Sequence, residues 1–340
     1  MMGSMATRGA GWYPAIGRPL FFSLPPETSH RVSTAMLGLP FPWQRIGGVA
    51  SDPSLEIELC GVPLRNPIGL AAGFDKACRH LDTLGELGFG YVVGGTVTRA
   101  ARAGNPSPRI VRSTRRRSLV NAMGLPNPGA EAVAATLRHR ERGPAPRFVS
   151  LADEDVAVAV SSLEILEPLV DGVELNASCP NVSWGRDGDN EAHLLALVEA
   201  FRTRTPKPLF VKLPPFVTDV ERDVVLSLAT IARDAGADGL TCSNTRLVED
   251  ERLAVRRGGV SGRALWPYTP RIVGAVRAAV GDEVAINACG GIASSEEVDT
   301  CLEAGATTVQ IYSALIYEGP GVLGRLTSGL ARHRSLLRRR

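Results

Sequence analysis

From residue 66 onward, short apolar runs alternate with longer amphipathic stretches. The runs are IGLAAG (68–73), YVVGGT (91–96), RFVSLA (147–152), GVELNAS (172–178), PLFVKL (208–213), GLTCSN (239–244), VAINACG (284–290) and VQIYSA (309–314). Each has the length and apolar density of a strand buried on both faces. Helix-like segments such as DEDVAVAVSSLEILEPLV and TDVERDVVLSLATIARDAGA lie between them. In the second, Val220, Val224, Leu226, Leu228 and Ile231 predict a broad apolar stripe ending in an Ala-Gly-Ala exit. Strand alternating with helix implies parallel pairing. Eight such units over about 250 residues predict an α/β fold, a closed (β/α)8 TIM barrel. An open doubly wound sheet fits less well, because no GxGxxG turn follows the first strand.

Residues 12–45 break this rhythm. Trp12, Ile16 and Leu20 fall four apart, but Pro14, Gly17 and Pro19 argue against one long helix. After LPPE, Val32, Ala35, Met36 and Leu39 make a second short apolar stripe. Two small amphipathic helices are expected, as a lid packed on the barrel or as an apolar face laid on a membrane surface; periodicity alone favours the packed lid. The chain thus divides into an N-terminal stretch (1–11), a helical extension (12–45), a barrel (46–334) and a basic tail (335–340).

Composition narrows the class. The 340 residues are 44% hydrophobic and 21% charged, the range of a soluble globular protein. The net charge of +3 gives no global argument for nucleic acid, and the local clusters RSTRRR (112–117) and RRR (338–340) lack interleaved aromatics. Six cysteines, at 60, 78, 179, 242, 289 and 301, form no CxxC pair and suit a reducing compartment. No apolar run reaches the ~18–20 residues of a membrane span. The N-terminus has no apolar signal core, so a cytoplasmic location is expected.

In a barrel, functional groups gather at the C-terminal ends of the strands. Those ends carry Lys76, Thr96, Asn176 with Cys179, Lys212, Asn244 with Thr245, Gly290-Gly291 and Ser313. The glycines of GGVSG (258–262) and CGGI (289–292) let backbone N–H groups approach an anion, and the last two strand loops are the usual phosphate grip of this fold. A lysine in a barrel mouth is costly unless an anion meets it, which singles out Lys76 and Lys212; a surface position is the alternative for each. Asn121, Asn176, Asn181 and Asn244 offer donors and acceptors without charge, as a planar polar ring such as a pyrimidine needs. No His/Asp/Glu cluster of metal-ligand spacing stands at these ends. Cys179, in VELNASCPNVSWG, sits among amides rather than apolar neighbours and is read as a base or a nucleophile.

Taken in order, NPIGLAAGFDK, GFGYVVGGTVT, GNPSPRIVR, NAMGLPNPG, ELNASCPN, VKLPP, SNT, GGVSGRAL, CGGI and VQIYSALIYEGPG resemble the dihydroorotate dehydrogenases, over nearly the whole chain from about Trp12 to about Arg332. The resemblance implies oxidation of dihydroorotate to orotate in pyrimidine synthesis, on a barrel that holds FMN at its mouth. It implies flavin contacts from Ala72, Gly73, Thr96, Asn176, Lys212 and Ser243, and a phosphate grip from Gly262, Gly290, Gly291, Tyr312 and Ser313. Substrate would be held by Lys76, by Asn121 with the adjoining Ala122, Met123, Gly124 and Leu125, and by Asn176, Asn181, Asn244 and Thr245. The base that takes the C5 proton, as C6 gives hydride to flavin N5, would be Cys179. Ser150 departs from the family pattern, standing where a flavin-contacting asparagine is usual.

Two classes of the family are mixed here. Cysteine at the base position and NAMGLPNPG resemble the soluble class, which includes fumarate-linked enzymes. YPAIGRPLFFSLPPETSH resembles the N-terminal extension of the membrane-associated, quinone-using class, and His30, Arg112 and Tyr312 match positions lining that class's quinone tunnel. A cysteine is a single-residue change, whereas an extension is a whole structural element. A quinone-type architecture with a cysteine base is therefore favoured, with peripheral membrane contact through the N-terminal helices. The other readings are a fumarate-linked enzyme, a flavin barrel acting on another dihydropyrimidine, and a flavin- or pyrimidine-binding sensor.

Overall fold

The computed structural model of the chain describes residues 12–176 and 190–337. Its centre is a closed barrel of parallel strands: β1 (Ile68–Leu70), β2 (Tyr91–Val97), β3 (Arg147–Leu151), β4 (Gly172–Leu175), β5 (Leu209–Leu213), β6 (Gly239–Cys242), β7 (Ala285–Cys289) and β8 (Thr308–Ile311). They pair in chain order, and β8 closes on β1 with Val309 opposite Ile68. All eight runs expected from the sequence are barrel strands; most end before their run does, where the last residues turn into the mouth loops, whereas β2 continues one residue further, to Val97.

One end of the barrel is filled by a repeated device. Tyr91, Phe148 and Phe210 each lie directly across from a glycine of a neighbouring strand, Gly69, Gly172 and Gly239. A Cβ on those glycines would meet the facing ring at 2.3, 2.2 and 2.2 Å, so the rings occupy the space that side chains would need. Tyr91 and Phe210 both pack edge-on against Phe148, with centroids 5.4 and 5.8 Å apart. Leu59 and Leu64, from the hairpin of Ile57–Leu59 and Val62–Leu64, close the plug from below.

The surrounding helices are cut by their caps. Asp219–Asp234 and Ser295–Glu303 each begin with a capping box, Thr218 with Glu221 and Ser294 with Glu297. The stripe expected on the first of these is corrected: Val220 is 77% exposed, and Val225, Leu228, Ala229 and Ala232 face the core. The buried positions follow the i, i+3, i+4, i+7 spacing; small alanines let the helix lie close, whereas Val220 and Val224 sit on the opposite side.

The N-terminal extension forms three helices rather than two: α1 (Arg18–Ser23), α2 (Pro26–Leu37) and α3 (Trp43–Gly47). A wide helical turn over Tyr13–Gly17 leads into α1 without a break, despite Pro14 and Pro19. Each proline lies within the first two residues of its segment, where its missing N–H costs least. The expected packed stripe also turns out differently. Trp12, Ile16 and Leu20 are 47%, 69% and 65% exposed, while Ser29, Leu37, Trp43 and Gly47 are the buried positions of α2 and α3.

A further sheet, which periodicity did not indicate, stands over the mouth. It is antiparallel throughout, in the order Arg246–Glu249, Arg257–Gly262, Ser118–Asn121, Ile110–Ser113. Asn121 pairs with Gly259 and with Ile110 in that sheet, which fixes its direction relative to the barrel. Among the described residues, no helix is long and apolar enough to cross a membrane.

Candidate functional site

One cavity of about 530 Å³ runs from the N-terminal helices into the barrel mouth. This is the size of a pocket for a small organic ligand. Its inner half is polar. Thr96, Asn176, Lys212 and Ser243 are buried polar side chains on its wall. Asn176 Nδ2 donates to Thr96 Oγ1 at 3.0 Å, and Asn244 Nδ2 donates to Asn176 Oδ1 at 3.2 Å. The backbone N–H of Thr245 donates to Asn244 Oδ1 at 2.8 Å, so both amides are held in a defined orientation.

Lys76 enters from the loop after β1. Its Nζ donates to the Gly73 carbonyl at 2.6 Å. Burial lowers its pKa from 10.5 to about 8, opposed by the nearby Asp75 carboxylate. Asn121 lines the same cavity from the antiparallel sheet, where its Nδ2 donates to Gly259 O at 3.3 Å. An ammonium still largely protonated at neutral pH, set among neutral amides, suits an anionic, hydrogen-bonding planar ligand.

The glycine loops meet at another wall of the same cavity. A Cβ on Gly262 would lie 2.5 Å from Arg117 O, and one on Gly291 2.6 Å from Gly262 O. Both have positive φ, 81° and 75°, so only glycine fits this nested approach without strain. Arg263 pins the nest: its Nη1 donates to Gly291 O at 2.8 Å and to Glu297 Oε2 at 2.6 Å. Tyr312 and Ser313 line the cavity beside it.

The outer half is apolar and aromatic. His30 packs edge-on against Phe74, which packs edge-on against Tyr312, with centroids 5.6 and 6.0 Å apart. Tyr312 Oη donates to Gly73 O at 3.4 Å. His30 is therefore in contact, through two rings, with the inner wall. Burial, assisted by the Lys76 charge, lowers the His30 pKa to about 3, so it is neutral across the physiological range. Arg112 ties the extension down. Its Nη1 donates to Phe22 O at 3.1 Å and Leu24 O at 3.0 Å, its Nη2 donates to Ser29 Oγ at 2.7 Å, and the guanidinium lies 4.5 Å from the Phe22 ring centre. Beyond these lie Phe21, Phe22, Leu37, Phe41 and Trp43.

Most of the residues singled out by sequence come together on this surface: Ala72, Gly73, Lys76, Thr96, Asn121, Met123, Leu125, Asn176, Lys212, Ser243, Asn244, Thr245, Gly262, Gly290, Gly291, Tyr312 and Ser313, with His30 and Arg112 outside them. Three stand behind it. Ala122 is fully buried, with its carbonyl accepting from Asn105 Nδ2 at 2.9 Å. Gly124 packs against Asn105, and Ser150 lies under Thr96 with its Oγ 3.0 Å from Thr96 Oγ1. Cys179 and Asn181 lie outside the described residues.

Sequence reasoning missed several partners. Glu27 on α2 accepts from Arg109 Nε at 3.1 Å and from Ser107 Oγ at 3.0 Å. Arg109 in turn donates to the carbonyls of Ala103 and Asn105, beside the Asn121–Leu125 loop. Glu174 on β4 stands 3.5 Å from Lys212. Only the Glu in VELN gave a signal, a charge within an otherwise apolar strand.

A sequence model of the family described as dihydroorotate dehydrogenase matches residues 54–333. The chain is 35% identical to the dihydroorotate dehydrogenase (quinone) of Bordetella pertussis, over 94% of this chain and 97% of that one. It is 36% identical to the same-named protein of Halorhodospira halophila, over 94% and 98%. Among solved structures, a dihydroorotate dehydrogenase of Eimeria tenella crystallised with ferulenol superposes with a TM-score of 0.80 at 27% identity, covering 94% of this chain and 95% of that one. The barrel, the amide-lined mouth and the N-terminal helices thus have one explanation: the chain belongs to the dihydroorotate dehydrogenase family, and within it to the quinone class.

Proposed function

We propose that the protein oxidises dihydroorotate to orotate with bound FMN and passes the electrons to a quinone. The observation that carries this reading is the single cavity joining an amide- and lysine-lined mouth to an apolar channel under α1–α3. The residues present fit the cofactor. The glycine nest around Gly262 and Gly291 would be filled by any Cβ, which leaves backbone at a distance suited to a phosphate. Thr96, Asn176, Lys212 and Ser243 would face the ring system, and Ser150 would act behind Thr96.

When bound, FMN supplies the acceptor for the hydride leaving C6. The chain does the rest. Lys76 would hold the substrate carboxylate, and Asn121, Asn176, Asn181 and Asn244 the ring amides, with Thr245 beside them. Cys179 would take the C5 proton, in keeping with a base that must reach its proton with a matched pKa. The channel past Tyr312, His30 and Arg112 would admit an apolar quinone. Trp12, Ile16, Leu20, Val32, Met36, Leu39 and Phe41 are exposed on the extension, and they would rest on the membrane that holds it.

The test is an anaerobic visible spectrum before and after dihydroorotate. Bleaching of a bound flavin, followed by reoxidation with a soluble quinone but not with fumarate, is the expected result. Reoxidation by fumarate alone would assign the acceptor to the soluble class. A flavin that stays oxidised would overturn the substrate, and a protein that cannot be loaded with FMN would overturn the enzyme.

A further inference from the structure

Beneath the mouth, the barrel interior holds a layer of buried polar side chains. Glu174 on β4 is 2% exposed and Lys212 on β5 is 5% exposed. Glu174 Oε1 lies 3.5 Å from Lys212 Nζ, while Oε2 accepts from Thr241 Oγ1 at 2.8 Å and from Gln310 Nε2 at 3.4 Å. Thr241 sits directly across from Lys212 in the β5–β6 pairing, and Asn287 Nδ2 approaches its hydroxyl at 3.4 Å. Thr241 and Gln310 thus hold Oε2 from two further strands, while Oε1, which has no hydrogen-bond partner among the described residues, is left facing the ammonium. Lys212 and Gln310 line the cavity; Glu174 does not, and reaches it only through them.

Stability does not account for such a pair. A buried ion pair is often no more stabilising than apolar side chains of the same volume, because both charges must leave water. In the lower layer β3 to β6 carry Phe148, Gly172, Phe210 and Gly239, so this barrel accommodates an apolar filling. The charge is kept at the one level that touches the mouth.

We propose that Glu174 is a positioning residue for Lys212: it fixes where the ammonium points and offsets its charge, so that the flavin ring meets a compensated cation instead of a full one. This rests on the FMN reading given above. A full cation beside the ring would stabilise the added electrons and make the flavin slow to give them up. A compensated one keeps the reduced cofactor a donor, which suits an enzyme that must reduce a quinone at the far end of its cavity.

The experiment is a spectroscopic redox titration of the FMN-loaded protein against reference dyes, for the wild type, Glu174→Gln and Glu174→Asp. Glu174→Gln is expected to move the flavin midpoint potential to more positive values, and to slow reoxidation by a soluble quinone without slowing reduction by dihydroorotate. Glu174→Asp, which keeps the charge but draws it back by one methylene, is expected to move it in the same direction by less. A merely structural role would weaken FMN binding without a directed change in potential. Unchanged potentials in both variants would overturn the inference and leave the FMN reading intact. If Glu174→Gln does not fold, the aspartate variant decides alone, since an unchanged potential there is equally fatal. A wild type that takes up no FMN would instead sink the functional reading itself.

Discussion

Arg112→Ala should separate the two halves of the cavity. The guanidinium makes three hydrogen bonds to α1, to the turn after it and to α2, and packs on Phe22. A bond from a charged donor contributes roughly 1.5–3 kcal/mol net, and a part-exposed cation–π contact about 0.5–1 kcal/mol. The site is half-buried and such terms do not add fully, so a loss on the order of 3 kcal/mol in docking of the extension is the working value. Each 1.4 kcal/mol is tenfold, so the open population should rise on the order of a hundredfold. Tyr13 Oη to Ile316 O and Glu27 to Arg109 remain, so the extension loosens rather than detaches. The assay is limited trypsin digestion at low protease, where cleavage after Arg31 and Arg45 tracks the open fraction. Faster cleavage there, an unchanged thermal midpoint for the barrel, intact flavin reduction by dihydroorotate and a raised KM for quinone are expected together. Cleavage within twofold of the wild type would refute the claim that Arg112 anchors the extension.

The remaining predictions concern the mouth and the barrel floor. With Lys76 at a pKa of about 8, orotate affinity measured by flavin spectral titration should be flat below pH 8 and fall up to tenfold per unit above it. The linkage sign is set by the depressed value: between about 8 and 10.5 the unfolded chain holds the proton and the folded one does not, so this lysine's contribution to stability rises with pH across that window. A binding curve still flat at pH 9.5 would remove Lys76 from the carboxylate site. Cys179→Ser should retain FMN and orotate binding while flavin reduction slows by at least tenfold near neutral pH; an unchanged rate in stopped flow would end the base assignment. Gly172→Ala would place a methyl 2.2 Å from Phe148 Cε1, and overpacking of this kind costs about 1–3 kcal/mol. Calorimetry should show a thermal midpoint lowered by several degrees.

How much of this was legible in the sequence follows from what periodicity measures. An apolar run bounded by glycine and polar residues reports a strand buried on both sides, and all eight barrel strands were readable for that reason. Residues at or just beyond the strand ends, such as Lys76, Asn176 and Asn244, were readable as mouth groups because a parallel barrel aligns all its strand ends on one face. The same logic fails where burial is one-sided. Ile110–Ser113 and Ser118–Asn121 are short and carry arginine, serine and asparagine, so nothing local marks them as strands; the pairing of Ser118–Asn121 with Arg257–Gly262 is a contact across more than a hundred residues. The stripe of Trp12, Ile16 and Leu20 was read correctly as apolar, but a stripe does not say what it faces, and here it faces outward. Glu174 shows the limit most clearly. In sequence it is one charge in an apolar strand, as readily a surface residue at an altered register as a buried one. Its meaning comes from Lys212 on the next strand, Thr241 on the one after it and Gln310 on β8, and only closure of the barrel brings those four together.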